Sequence, residues 1–187
     1  MSTAEATRMT VEEFLALPDD GVERMLIDGV VMELGMSVRN WQHSTISVNV
    51  SSLLHLWLKQ RPRPRGRVSG GDAGFRLVSG SLVGVDVAYA SPELAAATTE
   101  SDSYFDGPPT LAVEILSPSD QQRNIIKKIA AYLEAGVEHV WIIEPVFRTV
   151  TVYQPNGPPR QFNVEDEITA EPHLPGFRVA VAAIFED

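Results

Sequence analysis

Residues 111–145 constrain the fold more than any other part of this chain. The segment begins and ends with short apolar runs, which predict two buried strands. Between them, apolar residues recur at helical spacing over residues 125–133, which predicts an amphipathic helix. Residues 117–120, Ser-Pro-Ser-Asp, predict the start of that helix, with a capping serine and a proline at the first helical position. Gly136 is placed to end the helix after Ala135.

The first of these strands contains one charged residue, Glu114, in an otherwise apolar run. Burying an ionised carboxylate is costly unless a partner compensates its charge. Glu114 therefore indicates a carboxylate that faces a cation, or one that lies at the end of the sheet.

The composition is that of an ordinary folded domain, and we expect residues 1–187 to form one domain with a disordered lead over residues 1–8. The lead lacks the pattern of an export signal, and no apolar run is long enough to span a membrane. The absence of cysteine excludes disulfides and fits a cytoplasmic protein. A net charge of −10 argues against broad adhesion to nucleic acid, although a local basic patch could still dock on it.

The remaining chain supplies further helices and strands. Residues 10–17 predict a short helix that begins with a capping box, and Asp28-Gly29 predicts the turn of a hairpin over residues 23–34. A long helix is predicted over residues 40–59, with an apolar face that includes Ile46 and Val50. Further strands are predicted at residues 74–78, 82–88, 148–153, 160–164 and 177–182.

His43 lies one turn before Ile46, on the same face of the long helix. It is either a hydrogen-bonded histidine at the edge of the core or a catalytic residue.

The only concentrated positive charge is the loop at residues 61–67, in which alternating prolines predict extended backbone. Its four arginines either form a solvated connector or contact the phosphates of a nucleic acid. The residues in question are Arg61, Arg63, Arg65 and Arg67.

Asp86 resembles Glu114, because it is a single acid in an apolar strand. If the two strands are neighbours, both carboxylates converge at one end of the sheet, where they could bind Mg²⁺ or Mn²⁺. A nearby ammonium would complete the groups needed for phosphodiester hydrolysis. The helix offers Lys127 and Lys128 on opposite flanks of its apolar stripe, and periodicity does not choose between them. Lys128 shares its flank with Asn124 and Tyr132.

Several segments, taken in order, resemble the Uma-two family of restriction-endonuclease-like proteins in the PD-(D/E)XK superfamily. The similarity covers nearly the whole chain and rests on the order and spacing of its parts. They are Asp86-Val87 and residues 9–14, 26–29, 74–76, 111–119, 128–132, 136–145 and 174–177, together with His43.

The resemblance implies an α/β (α+β mixed) fold, with a mixed sheet flanked by helices, an N-terminal hairpin and C-terminal strands. It implies Asp86 and Glu114 as metal ligands, the Ile115 carbonyl as an added ligand, and Lys128 as the catalytic lysine. Leu116 occupies the position where the superfamily motif has lysine. We also expect His43, Glu33 and Tyr132 to act as accessory residues.

The chain departs from the family pattern at three positions. Val85 replaces the motif proline, Met25 stands where many relatives have glutamate, and Asn124 stands where an acid often precedes the lysine. These departures bear on turnover more than on the fold.

Three functions follow from these observations. The first is a Mg²⁺- or Mn²⁺-dependent DNA endonuclease that uses Asp86, Glu114 and Lys128. The second is a nuclease fold without turnover that binds nucleic acid or protein. The third is a dimeric scaffold. Whichever function applies, we expect the protein to form a homodimer.

Overall fold

The computed structural model describes residues 8–33, 40–118 and 120–186. Apart from Arg8, the expected disordered lead lies outside the described residues. The helices are α1 (Val11–Leu15), α2 (Trp41–Lys59), α3 (Pro92–Ala97), α4 (Gln122–Glu134) and α5 (Val181–Ile184). The strands are β1 (Arg24–Ile27), β2 (Val30–Glu33), β3 (Arg67–Leu77), β4 (Ser81–Ala90), β5 (Phe105–Asp106), β6 (Leu111–Ile115), β7 (His139–Glu144), β8 (Thr149–Tyr153), β9 (Arg160–Phe162), β10 (Glu167–Thr169) and β11 (Arg178–Ala180).

In the described residues, β1 to β9 form one mixed sheet, and β10 and β11 form a separate hairpin. The main order is β2-β1-β4-β6-β7-β8-β9, and β3 pairs with the other edge of β4. Most neighbours are antiparallel, but β3 pairs with β5 in parallel, and β6 and β7, joined through α4, are also parallel. A crossover helix is the usual way to connect two parallel strands.

Helices cover both faces of the sheet. On one face, the apolar stripe of α2 packs with the C-terminal segment, and Trp57 stacks edge-on against Tyr89. On the other face, α4 places Ile129 and Tyr132 over the sheet. No helix in the part of the chain that the structure describes is long and apolar enough to span a bilayer.

Most of the predicted elements are present where the sequence indicated them. The capping box of Thr10 and Glu13 starts α1, Asp28-Gly29 forms the hairpin turn, and Asn40 caps α2. Gly136 follows the end of α4 with a φ of +89°, a left-handed conformation that favours glycine.

The predicted start of α4 is wrong. The Asp120 carboxylate accepts a hydrogen bond from the Ser117 N–H at 2.6 Å, and the Asp120 N–H donates to the Ser117 carbonyl. These bonds close a turn, so the helix starts later, at Gln122, without a side-chain cap. Asp120 therefore stabilises the loop turn before α4 and does not cap the helix.

The predicted strand at residues 177–182 is also only partly correct. β11 covers Arg178–Ala180, and the chain then forms α5, whose Val181 and Ile184 are buried in the core. The short elements α3, β5 and β10 were not predicted from the sequence, since two to six residues carry little periodic signal.

Candidate active site

The candidate site occupies a gap along one edge of β4. Strand β1 pairs with this edge at Leu82, and β6 pairs with it from Val87 onward. The register of β4 and β6 places Val87 opposite Val113, so its continuation would place Asp86 opposite Glu114. Backbone pairing stops before that level, and both acidic side chains lie where the two strands separate.

Asp86 is held between β6 and α2. Its Oδ2 accepts a hydrogen bond from the Ile115 N–H at 2.7 Å and lies 3.2 Å from His43 Nε2. Burial acts to raise the pKa of Asp86, but the hydrogen bond and charge of His43, the charge of Lys128 and the Ile115 N–H outweigh it. The pKa of Asp86 therefore lies below its ordinary value, and the side chain is a carboxylate at neutral pH.

Glu114 is equally buried, and its two oxygens contact different residues of α4. Oε2 accepts a hydrogen bond from Lys128 Nζ at 2.7 Å, and Oε1 accepts one from the Tyr132 hydroxyl at 2.6 Å. Burial, with the charge of Asp86, raises the pKa of Glu114 to about 7, although Lys128 and Tyr132 act to lower it. The pKa of Asp86 thus lies below its ordinary value, and the pKa of Glu114 lies above its ordinary value.

The structure distinguishes the two lysines that periodicity left open. Lys128 is buried beside Glu114, whereas Lys127 is exposed on α4. Tyr132 lies one turn after Lys128 and is fully buried. Burial and the neighbouring Glu114 charge raise the pKa of the Tyr132 hydroxyl well above its usual value, so it remains a donor. The structure therefore brings Asp86, Glu114, Lys128, Tyr132 and His43 together.

Other predicted residues lie elsewhere. Glu33 is exposed on β2, with β1 between it and β4, and it contacts Arg24. Met25, one of the residues that depart from the expected family pattern, is buried in the core.

Three of the four loop arginines contact backbone carbonyls of the protein itself. Arg61 donates to Pro175, Arg65 donates to Arg61, and Arg67 donates to Ala95. The guanidinium of Arg61 also lies over the ring of Trp57, and Arg63 is exposed. A contact of this loop with nucleic acid stays a prediction.

The sequence reasoning missed Asp72. Strand β3 carries a bulge between Gly70 and Ala73, at the level of Asp86 in the register of β3 and β4. Asp72 lies in this bulge with a φ of +60°, and its charge is one of those that raise the pKa of Tyr132. Adjacent glycines inside a strand indicate a bulge, so Gly70-Gly71 was a usable signal.

The described donor set fits a hard divalent cation. Asp86 and Glu114 offer carboxylate oxygens, and the Ile115 carbonyl points to the same side of β6 as its N–H, which faces Asp86. Within residues 8–33, 40–118 and 120–186, no group of three or more His, Cys, Asp or Glu side chains could hold a metal. A hard divalent cation is commonly bound by only one or two carboxylates, with water and substrate oxygens completing its shell.

The family of the chain follows from comparison with known proteins. A family model named Uma2 and described as "Putative restriction endonuclease" matches residues 11–182. The chain belongs to the Uma2 family. The resemblance to the Uma-two family inferred from the sequence is thereby confirmed.

A solved crystal structure supports the fold. A crystal structure described as a "putative nuclease belonging to DUF820" from Anabaena variabilis is similar to this structure, with a TM-score of 0.81. The two chains are 22% identical, and the match covers 95% of this chain and 97% of that chain. This similarity confirms the expected α/β fold, with a mixed sheet flanked by helices. Among curated proteins, none matches this chain at a significant level.

Proposed function

We propose that this Uma2 protein is a metal-dependent DNA endonuclease that hydrolyses phosphodiester bonds. The observation that carries the proposal is the convergence of Asp86, Glu114 and Lys128 in the gap along β4. Asp86, Glu114 and the Ile115 carbonyl would hold Mg²⁺ or Mn²⁺. A bound ion of this kind supplies Lewis acidity to a phosphoryl oxygen and lowers the pKa of coordinated water.

The side chains around the carboxylates have distinct tasks. His43 and the Ile115 N–H fix the orientation of Asp86 and keep it ionised. The Tyr132 hydroxyl fixes Glu114 through Oε1. Lys128 carries the positive charge nearest to Glu114, and we expect its ammonium to stabilise the negative charge that develops on the phosphate.

A second candidate is a nuclease fold without turnover. Met25 is a buried apolar residue at the position where the family resemblance implies glutamate in many relatives, and Asn124 on α4 stands where it implies that an acid is often present. Such a protein would keep the same fold and would bind nucleic acid, or a second copy of itself, without cutting DNA.

Calorimetric titration of Mg²⁺ and Mn²⁺ tests the proposal directly. Wild type should bind at millimolar or lower concentration, and Asp86→Asn should not, while Asp102→Asn, which changes an exposed acid in the loop between α3 and β5, should bind as wild type does. Circular dichroism confirms that each variant is folded. Supercoiled plasmid, linear duplex and single-stranded DNA then serve as substrates.

Each result separates the candidates. Absence of metal binding by the wild type would refute the nuclease mechanism. Metal binding without cleavage of any DNA form would favour the second candidate. Cleavage that Asp86→Asn abolishes and Asp102→Asn retains would support the endonuclease.

A further inference from the structure

An open pocket of about 300 Å³ lies between the second half of α2 and the start of β3. It is separate from the gap that holds Glu114, because β3 and β6 lie on opposite edges of β4. None of its six lining residues carries a negative charge, although the whole chain has a net charge of −10. The lining residues are Ser51, Ser52, His55, Val68, Ser69 and Gly70.

The pocket and the candidate active site share one side of α2. Ser51 and His55 lie on the row of α2 residues spaced four apart that begins at His43, which contacts Asp86. The twelve residue steps from His43 to His55 extend about 18 Å along the helix axis. Gly70 lies between the pocket and β4, since a Cβ placed on it would lie 3.4 Å from Ser51 Oγ and 3.5 Å from the Asp86 carbonyl oxygen.

The pocket presents groups that suit an anion. Ser69 Oγ is buried and has no hydrogen-bond partner among the described residues. Buried polar atoms are nearly always paired, so an unpaired hydroxyl requires an explanation. His55 is exposed beside it and can donate through its ring. In the described part of the sheet, the outer edge of β3 is paired at Phe75 and Arg76, which leaves the Ser69–Gly70 backbone at an open edge.

We propose that this pocket binds a backbone phosphate of the nucleic-acid strand that enters the active site. The inference rests on the proposed function and extends it, because it assigns a binding subsite to Ser51, His55 and Ser69. The loop at residues 61–67, with its four arginines, ends where β3 begins, so the predicted phosphate contacts and the pocket follow one another along the chain. A strand positioned in this way would pass from the arginine loop along α2 toward Asp86.

The test compares two adjacent charge changes on α2. His55→Glu places an acid in the pocket, whereas Leu56→Glu places the same charge on the next residue, which is exposed and does not line the pocket. Fluorescence anisotropy in EDTA, with a fluorescein-labelled duplex and one of its single strands, measures affinity without cleavage. Titrations at several NaCl concentrations give the salt dependence.

We expect His55→Glu to weaken DNA binding by about tenfold and to flatten its salt dependence, and Leu56→Glu to remain within about twofold of wild type. Ser69→Ala should also weaken binding, by about threefold or more, without loss of thermal stability, because it removes an unpaired buried hydroxyl. If the protein cleaves DNA, His55→Glu should raise KM and leave kcat unchanged.

The outcomes also separate this inference from the proposed function. Cleavage by the wild type with equal affinities for His55→Glu and Leu56→Glu would overturn the pocket and leave the nuclease intact. A selective loss in His55→Glu in a protein that cleaves nothing would support the pocket and refute the nuclease. A wild type that binds neither DNA probe would overturn the pocket as well.

Discussion

The Asp86 carboxylate accepts a hydrogen bond from the Ile115 N–H at 2.7 Å, so one acid of the site binds the backbone beside the other. This bond replaces the ladder hydrogen bonds that end between β4 and β6 at Val87 and Val113. It fixes the separation of the two strands at the level where Glu114 emerges. The site therefore depends on backbone geometry as much as on the identity of its side chains.

His43 should stabilise the fold through Asp86. The pair is buried, with His43 Nε2 3.2 Å from Asp86 Oδ2, so removal of the imidazole leaves a buried carboxylate with one partner fewer. We expect His43→Ala to lower the free energy of unfolding by about 1–3 kcal/mol at pH 7. Urea denaturation measures this loss, with the exposed His55→Ala as the control on the same helix. Equal stability of the two variants would contradict the structural role of His43.

Lys128 should matter for both stability and catalysis, and Lys127 for neither. Lys128→Met removes the cation 2.7 Å from buried Glu114, which ordinarily costs about 3–5 kcal/mol. Since the pKa of Glu114 is already about 7, the carboxyl group can take up a proton, and we expect a smaller loss of about 1–3 kcal/mol. We also expect cleavage to fall at least about a hundredfold.

The exposed Lys127→Met variant is the matched control, since it makes the same change one residue away. Urea denaturation and plasmid cleavage assays should place it within about 0.5 kcal/mol of wild type and at wild-type activity. Equal losses of stability and cleavage in Lys128→Met and Lys127→Met would contradict a specific role of Lys128 in the site.

Tyr132→Phe tests the hydroxyl that contacts Glu114 Oε1 at 2.6 Å. The ring remains packed in the core, so the change isolates one hydrogen bond, and we expect a loss of about 1–2 kcal/mol in unfolding free energy. Tyr153→Phe, on a half-buried tyrosine at the edge of the same core cluster, is the control. A Tyr132→Phe variant as stable as wild type would mean that Lys128 alone satisfies Glu114.

The pH dependence of stability should report on His139, which is buried at the start of β7 with its Nε2 3.2 Å from His173 Nδ1. Burial, together with the charge of His173, lowers the pKa of His139 from 6.5 to about 4. Its contribution to stability is fully present above pH 6.5 and is lost as the pH falls toward 4, because the unfolded chain takes up the proton first. The loss amounts to at most about 3 kcal/mol.

Between about pH 4.5 and 7, Glu114 changes the stability with pH in the opposite direction to His139. Its folded pKa of about 7 exceeds the ordinary 4.5, so its contribution is present below pH 4.5 and is lost as the pH rises through 7. Urea denaturation in EDTA from pH 4 to 8 should therefore show less acid destabilisation in His139→Leu than in wild type. His55→Leu should keep the wild-type profile, and an unchanged profile in His139→Leu would contradict the assignment.

Local signals in the sequence were sufficient for most of the elements. Three of these signals depend only on residues that are neighbours in the chain, so tertiary packing did not alter them. They are the Asp28-Gly29 turn, the capping box at Thr10 and the helical periodicity of α2. The start of α4 could not be predicted, because the side chain of Asp120 can either cap a helix or close a turn on Ser117. The bulge that contains Asp72 depends on how β3 pairs with β4.

The sequence by itself determined that Asp86 and Glu114 are acids in apolar strands and that a helix with two adjacent lysines follows. Only the tertiary structure decided that β1 and β6 share one edge of β4, which opens the gap in which both acids lie. It also decided that Lys128, not Lys127, reaches Glu114. The reason is physical: periodicity defines the faces of each element, but the register between strands and the rotation of α4 over the sheet are set by packing among residues distant in the chain.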